Sequence, residues 1–214
     1  MSDFPITEAA AAFQVAEDVV RLPADERAAA LAAPAFGTVF TDHMAHITWT
    51  NGAGWGERRI VAHEPLPISP ATAVLHYGQE IFEGMKAYRW EDGTIWTFRP
   101  EQNARRMNES AYRMALPPLP EDYFLGSIEA LVRADADWVP SGEEQSLYLR
   151  PFMFASEPFL GVRAAHTVEY LVVASPVGAY FAGGVAPVSI WVETELHRAG
   201  PGGIDQPAVN DLAP

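Results

Sequence analysis

Cysteine is absent from this chain of 214 residues, so no disulfide, thiolate metal site or cysteine nucleophile can be built from it. Lysine is nearly absent too: 13 of the 14 basic residues are arginine, and Lys86 is the only ε-amine. Positive charge is scarce altogether. With 28 acidic residues against 14 basic ones the net charge is -14, a field that repels polyanions and argues against nucleic acid or an anionic membrane as partner. Nowhere do 18 uncharged apolar residues run together, and MSDFPITEAA lacks the basic flank and apolar core of a leader. These absences predict a soluble cytoplasmic protein. What is plentiful is apolar: hydrophobic residues make up 49% of the chain, with 11 Phe, 7 Tyr and 6 Trp, enough to exclude disorder for most of its length.

Several common enzyme signatures are missing as well. No Gly-x-Ser-x-Gly elbow or phosphate loop occurs, and GAGWGE lacks the strand, spacing and following helix of a dinucleotide fingerprint. Asp42, His43 and His46 lie close together, but on a strand the two histidines point to opposite faces, so no metal site is expected.

Residues 1–34 are Ala-rich and read as an N-terminal arm or short helix without chemistry. From Phe36 the pattern changes. HMAHITWTN and ERRIVAHE read as strands around the turn-forming NGAGWG, and Ser69 as N-cap with Pro70 at the first helical position predicts a short helix. IFEGMKAYRW and TIWTFRP flank Glu91-Asp92-Gly93, a hairpin signal. Residues 100–115 and 121–136 place Met107, Ala111 and Met114, then Phe124, Ile128, Leu131 and Val132, at helical spacing. SLYLRPFMFA, EYLVVASPVG and APVSIWVETEL are rich in the β-branched and aromatic residues of strands. The class is mixed α and β (α/β, or α+β), with no internal repeat.

Three groups of residues carry possible chemistry. Arg105 and Arg106 on the first long helix read from periodicity alone as a solvated surface pair. Tyr148 and Arg150, two apart on a strand, share a face, where an aromatic wall beside a guanidinium can bind a carboxylate. Tyr77, Phe82 and Tyr180 read by themselves as core aromatics.

Taken together, FGTVFTDHM (36–44), LHYGQEIFEGMKAYR (75–89), FRPEQNARRM (98–107), SLYLRPFMFASEPFLGV (146–162) and PVGAYFAGGVAPVS (176–189) resemble the branched-chain amino acid aminotransferases, class IV transaminases that bind pyridoxal phosphate. The resemblance runs from about Phe36 to Gly203. It implies a small α/β domain of fold type IV over 35–178, an interdomain loop over 179–187, and over 188–214 only the first strand of a larger C-terminal domain followed by a divergent tail. It further implies that Arg106 holds the cofactor phosphate and that Tyr180 lines the cofactor pocket. Phe36, Phe82 and Gly84 would wall the substrate side, Tyr148 and Arg150 would handle a carboxylate, and Tyr77 and Val162 would be donated across a homodimer interface. The substrates implied are leucine, isoleucine and valine, with glutamate and the corresponding 2-oxo acids.

One departure stands out. Counted from Gly203, the position where the family places its Schiff-base lysine is Ala208, and GGIDQPAVNDLAP contains no lysine. That amine holds the cofactor and moves the α-proton, and arginine, which stays protonated, cannot replace it. Lys86 matches a family position without a catalytic role. The expectation is an inactive fragment with no catalytic residue of its own, its frame interrupted near Gly203, in which covalent capture of pyridoxal phosphate is lost. The runner-up is a non-catalytic domain that pairs with an intact aminotransferase subunit. A D-amino acid transaminase or aminodeoxychorismate lyase of the same fold fits SLYLRP and FGTVFTDHM less well.

Overall fold

Period-two alternation places apolar residues on one side of each long strand, and the chain uses it to build a sheet with one face closed by helices. The structure, a computed structural model, describes residues 5–34, 36–178 and 187–192. In chain order the elements are α1 (Glu8–Ala11), β1 (Gln14–Val15), α2 (Ala24–Ala32), β2 (His43–Thr50), β3 (Gly54–Trp55), β4 (Arg59–Ala62), α3 (Ala73–Tyr77), β5 (Glu80–Phe82), β6 (Met85–Arg89), β7 (Ile95–Thr97), α4 (Pro100–Arg113), α5 (Glu121–Ala134), β8 (Ser146–Ala155) and β9 (Thr167–Val177). The strands form one sheet in the order β1-β4-β2-β9-β8-β6-β7, with β3 added to β2 and β5 to β8. Among the described strands only the β1–β4 pair is parallel.

Leu147, Leu149 and Met153 of β8, with Ala45 and Ile47 of β2 and Val168, Tyr170 and Val172 of β9, pack against Met107 and Ala111 of α4 and Phe124, Ile128 and Leu131 of α5. Both long helices therefore lie where the apolar spacing predicts, and only Met114, just past α4, is partly exposed. The turn between them is fixed by Asn108, whose side chain accepts from the Leu119 amide and donates to the Leu119 carbonyl, both at 2.8 Å. The opposite face carries a smaller cluster of Met44, Phe154 and Leu171, covered by Leu66 and Val74. Beyond that cluster the second face presents Lys86, Tyr148 and Arg150.

Three expectations need correction. The helix predicted to start at Pro70 begins at Ala73, because Ser69 and Pro70 form a tight turn in which the Ser69 carbonyl and hydroxyl take the amides of Thr72 and Ala71. The stretch IFEGMKAYRW is not one strand: it breaks at Glu83-Gly84 into β5 and β6, both paired to β8. Residues 187–192, read as the start of a strand, form none with any of the described residues and are exposed. The hairpin at Asp92-Gly93 is present, with Gly93 at φ 82° and the Asp92 carboxylate accepting from the Thr94 amide and hydroxyl at 2.9 and 2.6 Å.

The described part of the N-terminal arm is built into this body. β1 extends the sheet beside β4, and Ala10 and Phe13 are buried in the main core. α1 lies so close to α5 that a side chain at Gly126 would meet the Ala9 carbonyl at 2.6 Å, which only glycine avoids. At the other end of α5, Asp135 ties the helix to the sheet. Its carboxylate accepts from the His43 amide at 3.0 Å and bonds the His43 ring Nδ1 at 2.6 Å, with both side chains essentially solvent-free. Replacing Asp135 with Ala strands a buried donor and a buried imidazole, and is expected to cost about 3 kcal/mol, read as a lower urea midpoint at unchanged slope.

Candidate functional site

The break between β5 and β6 shapes the open face of the sheet. Glu83 and Gly84 leave the strand path there, and the Glu83 amide reaches the Pro151 carbonyl of β8 at 2.8 Å. Because Gly84 has no side chain, the Tyr148 phenol can lie against its backbone: a Cβ there would sit 2.5 Å from the Tyr148 oxygen. Tyr148 and Arg150 share a face, as their spacing predicts, and the Tyr148 oxygen accepts from Arg150 Nε at 3.1 Å and Nη2 at 2.9 Å. The Arg150 guanidinium lies 4.4 Å over the Phe82 ring, and the Phe36 ring centre is 5.2 Å from that of Tyr148. Five residues singled out from the sequence, Phe36, Phe82, Gly84, Tyr148 and Arg150, thus meet in one cluster. With its oxygen accepting from Arg150, the Tyr148 hydroxyl still has its own proton to donate. A cation, a phenol donor and two aromatic walls suit a carboxylate carried on an apolar body.

Arg106 lies beside this cluster and is not a solvated surface arginine. Its Nε and Nη2 donate to the two oxygens of Glu83 at 3.1 and 2.6 Å, a fork-to-fork pairing that fixes the plane of the guanidinium. Asn103, one helical turn earlier on α4, donates to Glu83 at 2.8 Å and to the Gly84 carbonyl at 3.2 Å. Glu83 is only 1% exposed, whereas about a third of the Arg106 side chain reaches the surface. Its neighbour Arg105 is exposed, 3.9 Å from Glu121, and fits the surface reading. Sequence reasoning missed Glu83 and Asn103. The available signal was an acidic residue before a glycine inside an otherwise apolar strand pattern, where an unpaired charge would be costly.

Tyr77 and the loop that carries Val162 are joined by a separate set of contacts. The Tyr77 hydroxyl, at the end of α3, donates to the Leu160 carbonyl in the loop between β8 and β9. That loop is held at its neck by Glu157, whose carboxylate accepts from Arg163 Nη1 and Nη2 at 3.0 and 2.7 Å and from the His166 amide at 2.7 Å. Arg163 also stacks on Phe159 at 3.8 Å. At the tip Val162 is 93% exposed and Leu160 63%. Tyr180 and Ala208 lie outside the described residues.

The two histidines of β2 are each engaged: His43 with Asp135, and His46 with Glu169 at 2.8 Å. Glu169 also accepts from Thr48 at 2.7 Å and Ser156 at 2.9 Å, and these bonds hold its carboxyl below the usual range even though burial pushes the other way. Among the described residues no group of three or more His, Asp or Glu side chains could hold a metal, and no helix is long and apolar enough to cross a membrane.

Gly84→Ala is expected to push the Tyr148 phenol aside and separate it from Arg150 without unfolding the domain. A lost Tyr148–Arg150 contact in the variant's crystal structure, with the melting midpoint within a few degrees, is the measurement. The neck of the loop has a pH signature. Arg163, and then the His166 amide, hold the Glu157 carboxyl at about 2, below its ordinary 4.5. A depressed carboxylate stabilises its loop fully above the unfolded value and loses that contribution as pH falls through the folded one. The shift of the Glu157 side-chain carboxyl carbon is therefore expected to stay constant from neutrality to near pH 4 and titrate toward 2. Titration near 4.5 would mean that the clamp is open.

No protein-family model matches the sequence. Among curated proteins the chain is 57% identical over 180 residues to the probable branched-chain-amino-acid aminotransferase of Streptomyces coelicolor, covering 84% of this chain and 50% of that one. It is 53% identical over 178 residues to the branched-chain-amino-acid aminotransferase of Mycolicibacterium smegmatis, covering 83% and 48%. Against branched-chain-amino-acid aminotransferase 2 of Bacillus subtilis it is 48% identical over 168 residues, covering 78% and 46%. Among solved structures, that of the branched-chain aminotransferase from Thermoproteus uzoniensis with norvaline aligns at 25% identity and a TM-score of 0.49, over 64% of this chain and 43% of that one. The chain spans about half the length of the curated relatives it matches. On the strength of those sequence identities, the chain belongs to the branched-chain amino acid aminotransferase family, whose N-terminal portion it resembles.

Proposed function

We propose that the Phe36, Phe82, Gly84, Tyr148 and Arg150 cluster is the substrate wall of a transaminase for leucine, isoleucine and valine that uses glutamate and 2-oxoglutarate as the second pair. The observation that carries this reading is the Arg150–Tyr148 pair set between aromatic rings. Arg150 supplies a fixed positive charge and Tyr148 a donor proton for a carboxylate, while Phe36 and Phe82 offer apolar faces to an aliphatic body. One wall of this kind serves a glutamate side chain and a branched aliphatic one in turn.

Pyridoxal phosphate is the cofactor that this family implies, and the residues of the cluster and its neighbour Arg106 fit half of it. Arg106, oriented by Glu83 and Asn103, offers planar donors suited to a phosphate. When bound, the cofactor supplies the carbonyl that exchanges the amino group and a ring that delocalises the electron pair released at the α-carbon. The amine half does not fit. Ala208 stands where the resemblance places the lysine, and the only lysine of the sequence, Lys86, pairs across strands with Tyr148 instead. Arg106 is therefore the residue proposed to hold the cofactor phosphate. A second reading, a non-catalytic domain that pairs with an intact aminotransferase subunit, is favoured by the exposed apolar tip at Leu160 and Val162.

Titration calorimetry tests the substrate wall: Arg150→Ala is expected to weaken 2-oxoglutarate about 10- to 100-fold, the cost of one charge-assisted pair. Unchanged affinity removes the assignment. In the same preparation, absorbance titration with pyridoxal phosphate is expected to show reversible binding that Arg106→Ala weakens. Stoichiometric borohydride-fixed label at Lys86, or turnover of leucine, would overturn the account of the amine.

A further inference from the structure

A proline stands in the middle of β8, where a proline is costly. β8 is an interior strand, paired along its whole length with β9 and on its other side with β5 and β6. Proline has no N–H to give to a ladder, so within sheets it is confined almost entirely to edges and bulges. Pro151 is at neither. β5 and β6 pair with β8 at a single offset, Phe82 opposite Phe152 and Met85 opposite Leu149, so no extra residue enters between them. That offset sets Glu83 opposite Pro151 and Gly84 opposite Arg150.

The Pro151 carbonyl accepts from the Glu83 amide at 2.8 Å, which makes this a hydrogen-bonded pair of the antiparallel ladder. Such a pair exchanges two bonds, and here the second, from residue 151 to the Glu83 carbonyl, cannot form. The ladder is intact on either side, with the Ala155 amide on the Gln79 carbonyl at 3.0 Å and Met85 again opposite Leu149. The interruption between β5 and β6 is therefore one missing donor wide. What β8 does not hold, α4 holds: Asn103 donates to the Gly84 carbonyl at 3.2 Å and to the Glu83 carboxylate at 2.8 Å. On the open face the phenol oxygen of Tyr148 has its place only because Gly84 carries no Cβ.

We infer that Pro151 is a positioning residue of the carboxylate-binding wall: by withholding one ladder bond it keeps Glu83 and Gly84 with α4 instead of the sheet, and so preserves the seat from which Tyr148 meets Arg150. Pro151 acts through Gly84 and Tyr148 and touches no ligand itself. For its ligand the inference rests on the proposed reading of that wall, while its structural half stands without one. Alanine at this position restores the donor. The Glu83 carbonyl then closes onto β8, the backbone at Gly84 returns to the strand line, and the phenol loses its seat. Stability moves little, because the added ladder bond and the lost stiffness of proline in the unfolded chain offset each other.

Nuclear magnetic resonance on the full chain reads the structural half directly. In the unaltered chain a scalar coupling across the bond from the Glu83 amide to the Pro151 carbonyl is expected, with an Overhauser contact between the Gly84 α-protons and the Tyr148 ring. Absence of either overturns the inference. In Pro151→Ala the new amide at position 151 is expected to be protected from hydrogen exchange and the contact between Gly84 and Tyr148 to be lost, with the melting midpoint within about 3 °C. Calorimetry reads the consequence: Pro151→Ala is expected to weaken 2-oxoglutarate about 10-fold. A freely exchanging amide at 151, a retained contact between Gly84 and Tyr148, or unchanged affinity where Arg150→Ala lowers it would each sink the proposal. So would a loss of affinity that comes with a midpoint lowered by more than about 5 °C, the mark of a purely structural role. If Arg150→Ala also leaves 2-oxoglutarate binding unchanged, the reading of the wall is what fails, and the exchange and Overhauser results still decide whether Pro151 places Tyr148.

Discussion

The alternation of β8 is the constraint on which the rest depends. Its register is fixed along its whole length by β9 and by two shorter strands on the other side, so its two faces cannot exchange. Leu147, Leu149 and Met153 are committed to the helices, and this commitment forces Tyr148 and Arg150 outward as a pair. A slip of one residue would bury a guanidinium and expose three core side chains. The helical core and the carboxylate-binding wall are thus two faces of one strand, and the energy that holds the first also positions the second.

Electrostatics divide the candidate site into two parts. Arg150 rests against neutral partners, a phenol oxygen and aromatic faces, so its charge remains available to an anion. Arg106 is forked onto Glu83, which takes up part of its charge and fixes its direction. A cation held this way is oriented before any ligand arrives, which spares the entropy of ordering it later. Glu83 is itself sustained by Asn103, and both depend on the strand break that Gly84 makes possible.

Much of this was legible in the sequence, and the parts that were not share a physical cause. The long helices, the Asp-Gly hairpin and the pairing of Tyr148 with Arg150 follow from local periodicity or turn chemistry. The convergence of Phe36 with Phe82 came from resemblance, since no spacing along the chain implies a contact between residues so far apart. Glu83, Asn103 and Asp135 were missed because a buried polar residue is explained only by its partner, and each partner lies in a distant element. The delayed start of α3 shows the same limit: Ser69 has the chemistry of a cap but spends it on a turn. Residues 187–192 have strand composition yet pair with no strand among the described residues, and pairing needs a neighbour that composition cannot supply.

The position of β9 has a consequence for synthesis. It sits in the middle of the sheet, joining β2 from early in the chain to β8, yet of the described strands it is the last to be made. Until Val177 has left the ribosome, β2 and β8 each lack a neighbour, and the apolar side of the sheet cannot close. Long-range pairing of this kind is slow and leaves strand edges bare while it waits. The nascent chain therefore has to hold most of its length unfolded, or shielded by a chaperone, until the central strand emerges and the halves zip together.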